Sequence, residues 1–427
     1  MSALTYFGNL PPFHWIPIGI FIVTYVLIAF ESHTWSYLDR TAAAFCGAVA
    51  MVLAGALTLP AAYRAINWDT IIFLLGIMIL VAHFRVSGFF DWIALRVSAM
   101  ARSRTELLTL LVFTSGFLSA FFVNDTICLI FTPIVLAVTD RLEVPATPYV
   151  VALATSANIG SVMSVTGNPQ NALIGVSAGF TFLGFLAHLA PVAIFGLALN
   201  VLILRAFFRK DLEAGPLAAR PVMDAPSLNR TLLLKCGIAL SLVLVLWIMN
   251  FSFPLVAISV GALILLIGRV KSQEIHEHVD WTLLLFFASL FVVIQGLETS
   301  GLVSYLIARF LPGFHGGVLA QLSSLSGAML VLSNLVSNVP AVILFRPLVR
   351  SLANRHFVWL ALASASTLAG NCTPFSSVAN LIVLQQANRR VKITFWQFTR
   401  VGIVVTLVTT SLAVVLLSLQ NILFPHL

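Results

Sequence analysis

Charge is what this sequence has least of. Of 427 residues only 9% are charged, against roughly 25% in soluble globular chains. With 60% hydrophobic residues and a mean hydropathy of +1.03, the chain cannot cover itself with a water-facing surface, which excludes a soluble enzyme or binding module. Cysteine is scarce as well. Cys46, Cys128, Cys236 and Cys372 lie in apolar runs without CxxC spacing, which argues against a disulfide framework or a zinc site; Cys128 and Cys372 read as small apolar packing residues, with a thiol contact to a soft solute as the alternative. The first residues, MSALTYFGNLPPFHW, carry no basic n-region, so no cleavable leader is expected and Trp15 opens the first retained helix. Paired catalytic carboxylates, HExxH and nucleotide-binding motifs are missing. No catalytic residue, metal site or cofactor is therefore expected, and any ATPase partner would be a separate soluble chain. The net charge of +8 comes from Lys and Arg scattered over short loops, which fits membrane flanks and not a nucleic-acid partner.

What the chain has in abundance is apolar runs approaching the roughly 20 residues that cross a hydrocarbon core. An all-α polytopic membrane protein follows, because a β-barrel would show short alternating segments. Candidate spans are Trp15–Phe30, Thr41–Ala61 and Ile66–Phe84, followed by an interfacial helix at Phe89–Arg102. A hairpin over 105–140, a broken helix over 148–180 and a span at Phe182–Phe208 complete a first unit, residues 1–208. Residues 209–230, rich in Pro and charge, form a linker. The second unit, 231–427, offers Thr231–Asn250, Pro254–Gly268, Trp281–Leu297, an amphipathic Leu302–Leu311, a hairpin over 318–349, a broken helix over 357–388 and Phe395–Leu419.

The two units are copies. Trp68 and the Ser87-Gly88 pair recur at Trp281 and Ser300-Gly301, an offset of 213; Asn124 and Pro133 recur at Asn338 and Pro347, an offset of 214; Asn171 of NALI recurs as Asn380 of NLIV, an offset of 209. If each hairpin dips into the membrane and returns, every unit crosses five times, and an odd number inverts the second copy relative to the first. With both termini outside, eighteen of the 23 basic residues fall on the cytoplasmic side, as the positive-inside rule requires. Spanning hairpins would weaken that asymmetry.

Polar residues interrupt the apolar runs at four places: Asn124-Asp125-Thr126, Ser164–Asn171, Ser337-Asn338 and Gly370–Pro374 with Ser376 and Ser377. Non-helical backbone at membrane depth persists only where it lines a cavity or is buried in protein, and Gly167-Asn168-Pro169 cannot continue a helix. Isolated serines such as Ser241 or Ser259 read as helix–helix packing. The clustered, duplicated breaks read as a binding site of amides, hydroxyls and freed carbonyls, suited to a small hydroxylated solute. Asp125, an intramembrane carboxylate, is a functional candidate by default. Asp69, Asp280, His83, His188 and Glu298 lie near span ends and read as interfacial.

The segment FFVNDTICLIFTPIVLAV resembles arsenite permeases, and SANIGSVMSVTGNPQNALIG resembles the citrate-transporter-like anion permeases of the same ion transporter superfamily. SNLVSNVPAVIL and NLIVLQQAN are similar to that group as well. The resemblance implies two inverted repeats of five spans, each with a re-entrant hairpin and a broken helix. It also implies a central site, an elevator motion, often a homodimer, and a prokaryotic cytoplasmic (inner) membrane. By position it implies a first tip of Asn124, Asp125 and Thr126 beside Thr166, Gly167, Asn168 and Asn171. The second tip, Ser337 and Asn338, faces Asn371, Thr373 and Ser377. The tips read Val-Asn-Asp and Ser-Asn-Val where sodium-coupled dicarboxylate members have Ser-Asn-Thr, and no Arg or Lys lies near a break. The expected activity is proton-coupled efflux of arsenite or antimonite, with Asp125 carrying the proton. A Na+/H+ antiporter and an inorganic or organic anion permease are the alternatives.

Overall fold

The computed structural model describes residues 14–29, 39–213, 227–310, 314, 316–352, 355–388 and 390–423. Both termini and most of the expected 209–230 linker lie outside the described residues. All regular structure among the described residues is helical. The first repeat runs α1 (Trp15–Ala29), α2 (Arg40–Leu53), α3 (Leu59–Ala65), α4 (Trp68–Val86) and α5 (Phe89–Met100), then α6 (Arg104–Phe121) and α7 (Asn124–Arg141), α8 (Thr147–Ser161) and α9 (Pro169–Ala178), and α10 (Phe182–Phe207). A short α11 (Arg209–Leu212) follows. The second repeat runs α12 (Arg230–Ile248), α13 (Phe253–Gly268), α14 (Ser272–His276), α15 (Trp281–Thr299), α16 (Leu302–Phe310), α17 (Val318–Val336), α18 (Asn338–Ser351), α19 (Arg355–Ala369), α20 (Val378–Ala387) and α21 (Phe395–Leu423).

Helices α4, α10, α12, α15, α17 and α21 are each long and apolar enough to cross a membrane. Shorter α1, α2 and α13 are apolar too, and the pairs α8/α9 and α19/α20 each make one crossing from two half-helices. With α17 serving as a hairpin arm beside α18, the described residues make ten spans and two hairpins. One expectation changes: the run Thr41–Ala61 is not a single helix. It stops at Leu53, and Thr58 caps a separate α3 by accepting from the Ala61 N–H at 3.4 Å.

The inversion shows in the packing. Helix α4 packs on α13 as α15 packs on α2; α6 packs on α8 as α17 packs on α19; α7 packs on α20 as α18 packs on α9. The turn at Ser87-Gly88 is repeated at Ser300-Gly301, with Gly88 at φ 77° and Gly301 at φ 81° and each serine hydroxyl donating to the carbonyl three residues back at 2.6 Å. Two bundles result. One gathers α1, α2, α4, α12, α13 and α15; the other gathers the hairpins, the broken helices, α10 and α21.

Small residues let backbones touch where helices cross. A Cβ on Gly160 of α8 would land on the Gly116 carbonyl of α6, while Gly237 of α12 has open space around it. Gly160→Ala is expected to destabilise the hairpin bundle by about 1–3 kcal/mol, read as a lower melting temperature of the purified protein. Gly237→Ala serves as the neutral control. Equal melting temperatures for both would contradict this packing.

Candidate substrate site at the helix breaks

Each break leaves backbone groups without helical partners, and asparagine side chains take them up. After α8 stops at Ser161, the Asn171 Nδ2 donates to the Ser161, Val162 and Ser164 carbonyls at 3.0, 3.3 and 3.1 Å. Its counterpart Asn380 donates to the Gly370 and Thr373 carbonyls at 2.6 and 3.0 Å. Asn168 opens α9 by accepting from the Asn171 N–H at 2.8 Å.

The breaks are also laced to each other. Asn168 Nδ2 donates to the Thr367 hydroxyl of α19 at 3.1 Å, and the Ser377 hydroxyl, opening α20, donates to Asn158 Oδ1 of α8 at 3.1 Å. These are the same contact made twice, since 158 and 168 map onto 367 and 377 at the offset of 209. Asn158 is the hub. Its amide nitrogen donates to Asn371 Oδ1 at 3.0 Å and Asn380 Oδ1 at 3.1 Å, and its oxygen also accepts from Asn124 Nδ2 at 3.0 Å. Asn158, Asn168, Asn171, Asn371, Asn380, Ser377 and Thr367 are all buried.

The hairpin tips close on the breaks. The Asn124 N–H donates to the Gly167 carbonyl at 2.9 Å. With its amide nitrogen turned inward, Asn338 donates to the Ser366 and Ser376 carbonyls at 2.9 and 3.2 Å. Ser337 holds the second tip at φ 72°, a left-handed conformation costly for a residue with a Cβ. Thr166 is occupied in tying the first break to its tip: its hydroxyl donates to the Ala120 carbonyl at 3.0 Å. The Thr373 side chain is half-buried, and its hydroxyl donates to Asn334 Oδ1 at 3.3 Å.

Two expected members of the cluster lie elsewhere. Successive helical residues point about 100° apart, so with Asn124 turned to Asn158, Asp125 and Thr126 face α4 and the start of α15. They line a chamber of about 30 Å3 with Met78, Val81, Val123, His278, Asp280 and Leu283. His83 and His188, expected at the interface, are buried. His83 Nδ1 bonds to the Ile79 carbonyl at 2.7 Å, and His188 Nδ1 meets Gln420 Oε1 at 2.9 Å.

Four half-helix N-termini (α7, α9, α18, α20) and four C-termini (α6, α8, α17, α19) meet around the cluster. Their opposite partial charges balance, and the polar side chains between them are uncharged. Asn124 Oδ1, Asn171 Oδ1 and Asn371 Nδ2 are buried with no partner, as are the Ser119 and Ser333 hydroxyls, one turn before each tip. Since a buried unsatisfied polar atom costs free energy, these leftover donors and acceptors are the groups that a polar solute can satisfy. Sequence reasoning missed Asn158, Thr367 and Asn380 as site residues. Asn158 and Thr367 lie inside unbroken helical runs, and only their shared offset marks them.

The citrate transporter family pattern matches residues 25–369 of the chain. An uncharacterized transporter of Mycobacterium tuberculosis is 31% identical over 96% of this chain and 99% of its own length. A silicon efflux transporter of Oryza sativa subsp. japonica is 28% identical over 94% of this chain and 97% of its own. Among solved structures, the Alcanivorax borkumensis YdaH transporter superimposes with a TM-score of 0.59 at 14% identity, covering 96% of this chain and 98% of that one, a likeness of fold.

Asn158→Ala would orphan Asn124 Nδ2, the Ser377 hydroxyl and the oxygens of Asn371 and Asn380, at about 1–3 kcal/mol for each group left unsatisfied. We expect a fall in melting temperature well beyond that of Thr373→Ala, together with loss of transport. A variant as stable as Thr373→Ala would show that the hub is dispensable.

Proposed function

The chain belongs to the citrate transporter family and is a secondary membrane transporter, not an enzyme; on that premise we propose that it exports a small neutral metalloid hydroxide, arsenite or antimonite, in exchange for protons. The carrying observation is the uncharged amide cluster with unpaired donors and acceptors at its breaks. A solute such as arsenous acid is neutral at physiological pH and offers hydroxyl groups that both give and take hydrogen bonds. A citrate trianion would need cationic partners, and the hydrogen-bonded groups around the breaks are amides, hydroxyls and backbone. The relative from Oryza sativa is a silicon efflux transporter, which fits the same solute class, because silicic acid is a neutral hydroxide too.

Asp125 is the proton carrier in this reading. It adjoins Asn124, whose amide reaches the hub, so a change of charge on Asp125 bears on the tip that closes the site. We place the protein in a prokaryotic cytoplasmic membrane with the basic loops inside, often as a homodimer. The hairpin bundle would move against the α4/α13 and α2/α15 bundle in an elevator-type cycle.

In inside-out vesicles an imposed proton gradient should drive arsenite uptake by the wild type, and Asp125→Asn should reduce it by about 100-fold or more, the scale of a lost proton-transfer group. Gradient-driven uptake retained in Asp125→Asn would overturn the coupling role. Uptake that follows a sodium gradient would overturn proton exchange.

A further inference from the structure

The chamber that receives Asp125 contains more titratable chemistry than its architecture requires. Asp280 opens α15 by accepting from the Leu283 N–H at 2.9 Å. In the first repeat the equivalent position is Asn67, which caps α4 by accepting from the Thr70 N–H at 3.0 Å. An amide is therefore enough for the cap, and the carboxylate at 280 answers some other need. The remaining counterparts point the same way: His278 maps onto Ala65, Asp125 onto Val339 and Thr126 onto Pro340. None of the residues at the counterpart positions in the other repeat has a titratable side chain. The asymmetry lies wholly on the side that the basic loops assign to the cytoplasm.

The geometry suits a path. Asp280 is exposed, whereas His278 and Asp125 are half-buried, so the three run from solvent to the hairpin tip around one chamber of about 30 Å3. That volume is enough for water, which needs roughly 10–15 Å3 and a few polar partners. Burial holds the His278 imidazole below its ordinary range, and the Arg85 guanidinium adds to this against the opposing pull of Glu274 and Glu277. A neutral imidazole can accept a proton and pass it on. Asp280 and Arg40, at the start of α2, are among the charged groups that act on Asp125.

We propose that Asp280, with His278, is the cytoplasmic proton relay of Asp125. This rests on the coupling role given to Asp125 above. On release, the proton leaves the Asp125 carboxyl for a chamber water, passes to the Asp280 carboxylate or the His278 imidazole nitrogen, and is removed by solvent. Asp125 is left ionised and no other group changes state. The relay connects the carrier to one side of the membrane only.

The test is Asp280→Asn, which keeps the helix cap as Asn67 does. Two readouts are used. In proteoliposomes, arsenite driven by a proton gradient is expected to slow by about 10-fold or more, while arsenite–arsenite counterflow stays near the wild-type rate. Independently of any substrate, the infrared carboxyl band lost in Asp125→Asn identifies the Asp125 group, and its titration is expected to be displaced along the pH axis in Asp280→Asn. Gradient-driven transport unchanged in rate and pH profile would overturn the relay. So would an Asp125 titration identical in wild type and Asp280→Asn. Should the wild type not carry arsenite, the substrate reading fails, and the infrared titration still decides the relay.

Discussion

A helix that breaks inside a membrane exposes backbone groups that lipid cannot satisfy, and the architecture of this protein follows from how that cost is met. Asn171 and Asn380 collect the carbonyls freed at the ends of α8 and α19. Asn158 then joins both breaks and the first hairpin tip in one network. Buried polar networks of this kind hold one geometry when fully satisfied and are costly when they are not. Five buried atoms at or near the breaks remain unsatisfied, and they lie where the half-helix ends converge. The same constraint that shapes the fold thus leaves a set of unpaired donors and acceptors at the breaks.

Duplication explains why this network closes on itself. Asn168 reaching Thr367 and Ser377 reaching Asn158 are one interaction seen from each repeat, so a single short segment, copied and inverted, supplies both halves of the lattice. At the chamber beside the first tip the repeats depart from each other in ionisable residues. Asp125, His278 and Asp280 stand opposite Val339, Ala65 and Asn67. Symmetry builds an uncharged cluster, and the departures set three titratable side chains around one chamber beside the first hairpin tip.

Much of this was legible in the sequence, for physical reasons. Long apolar runs, the Pro and Gly at 167–169 and the fixed offsets between landmarks gave the spans, breaks and inverted repeats. Asn124, Asn168, Asn171, Asn338, Asn371 and Ser377 interrupt apolar stretches and stand out for that reason. Asn158 does not, because it sits within a regular helix and its role depends on a contact with a residue 213 positions away. Grouping Asp125 and Thr126 with Asn124 followed adjacency in the chain, whereas the helical twist turns them onto α4 and α15. His83 and His188 read as interfacial from their place near span ends. Their burial depends on helix α13, through Gly268, and on Gln420 of α21, which no local pattern reveals.

An uncharged lattice of amides and hydroxyls is proposed here to select neutral hydroxides over carboxylate anions. Counterflow of radiolabelled arsenite into proteoliposomes, challenged separately with antimonite, silicic acid and citrate, tests it most directly. Competition by antimonite and silicic acid, and none by citrate at matched concentration, is the expected result. Competition by citrate, with neutral hydroxides inert, would contradict it.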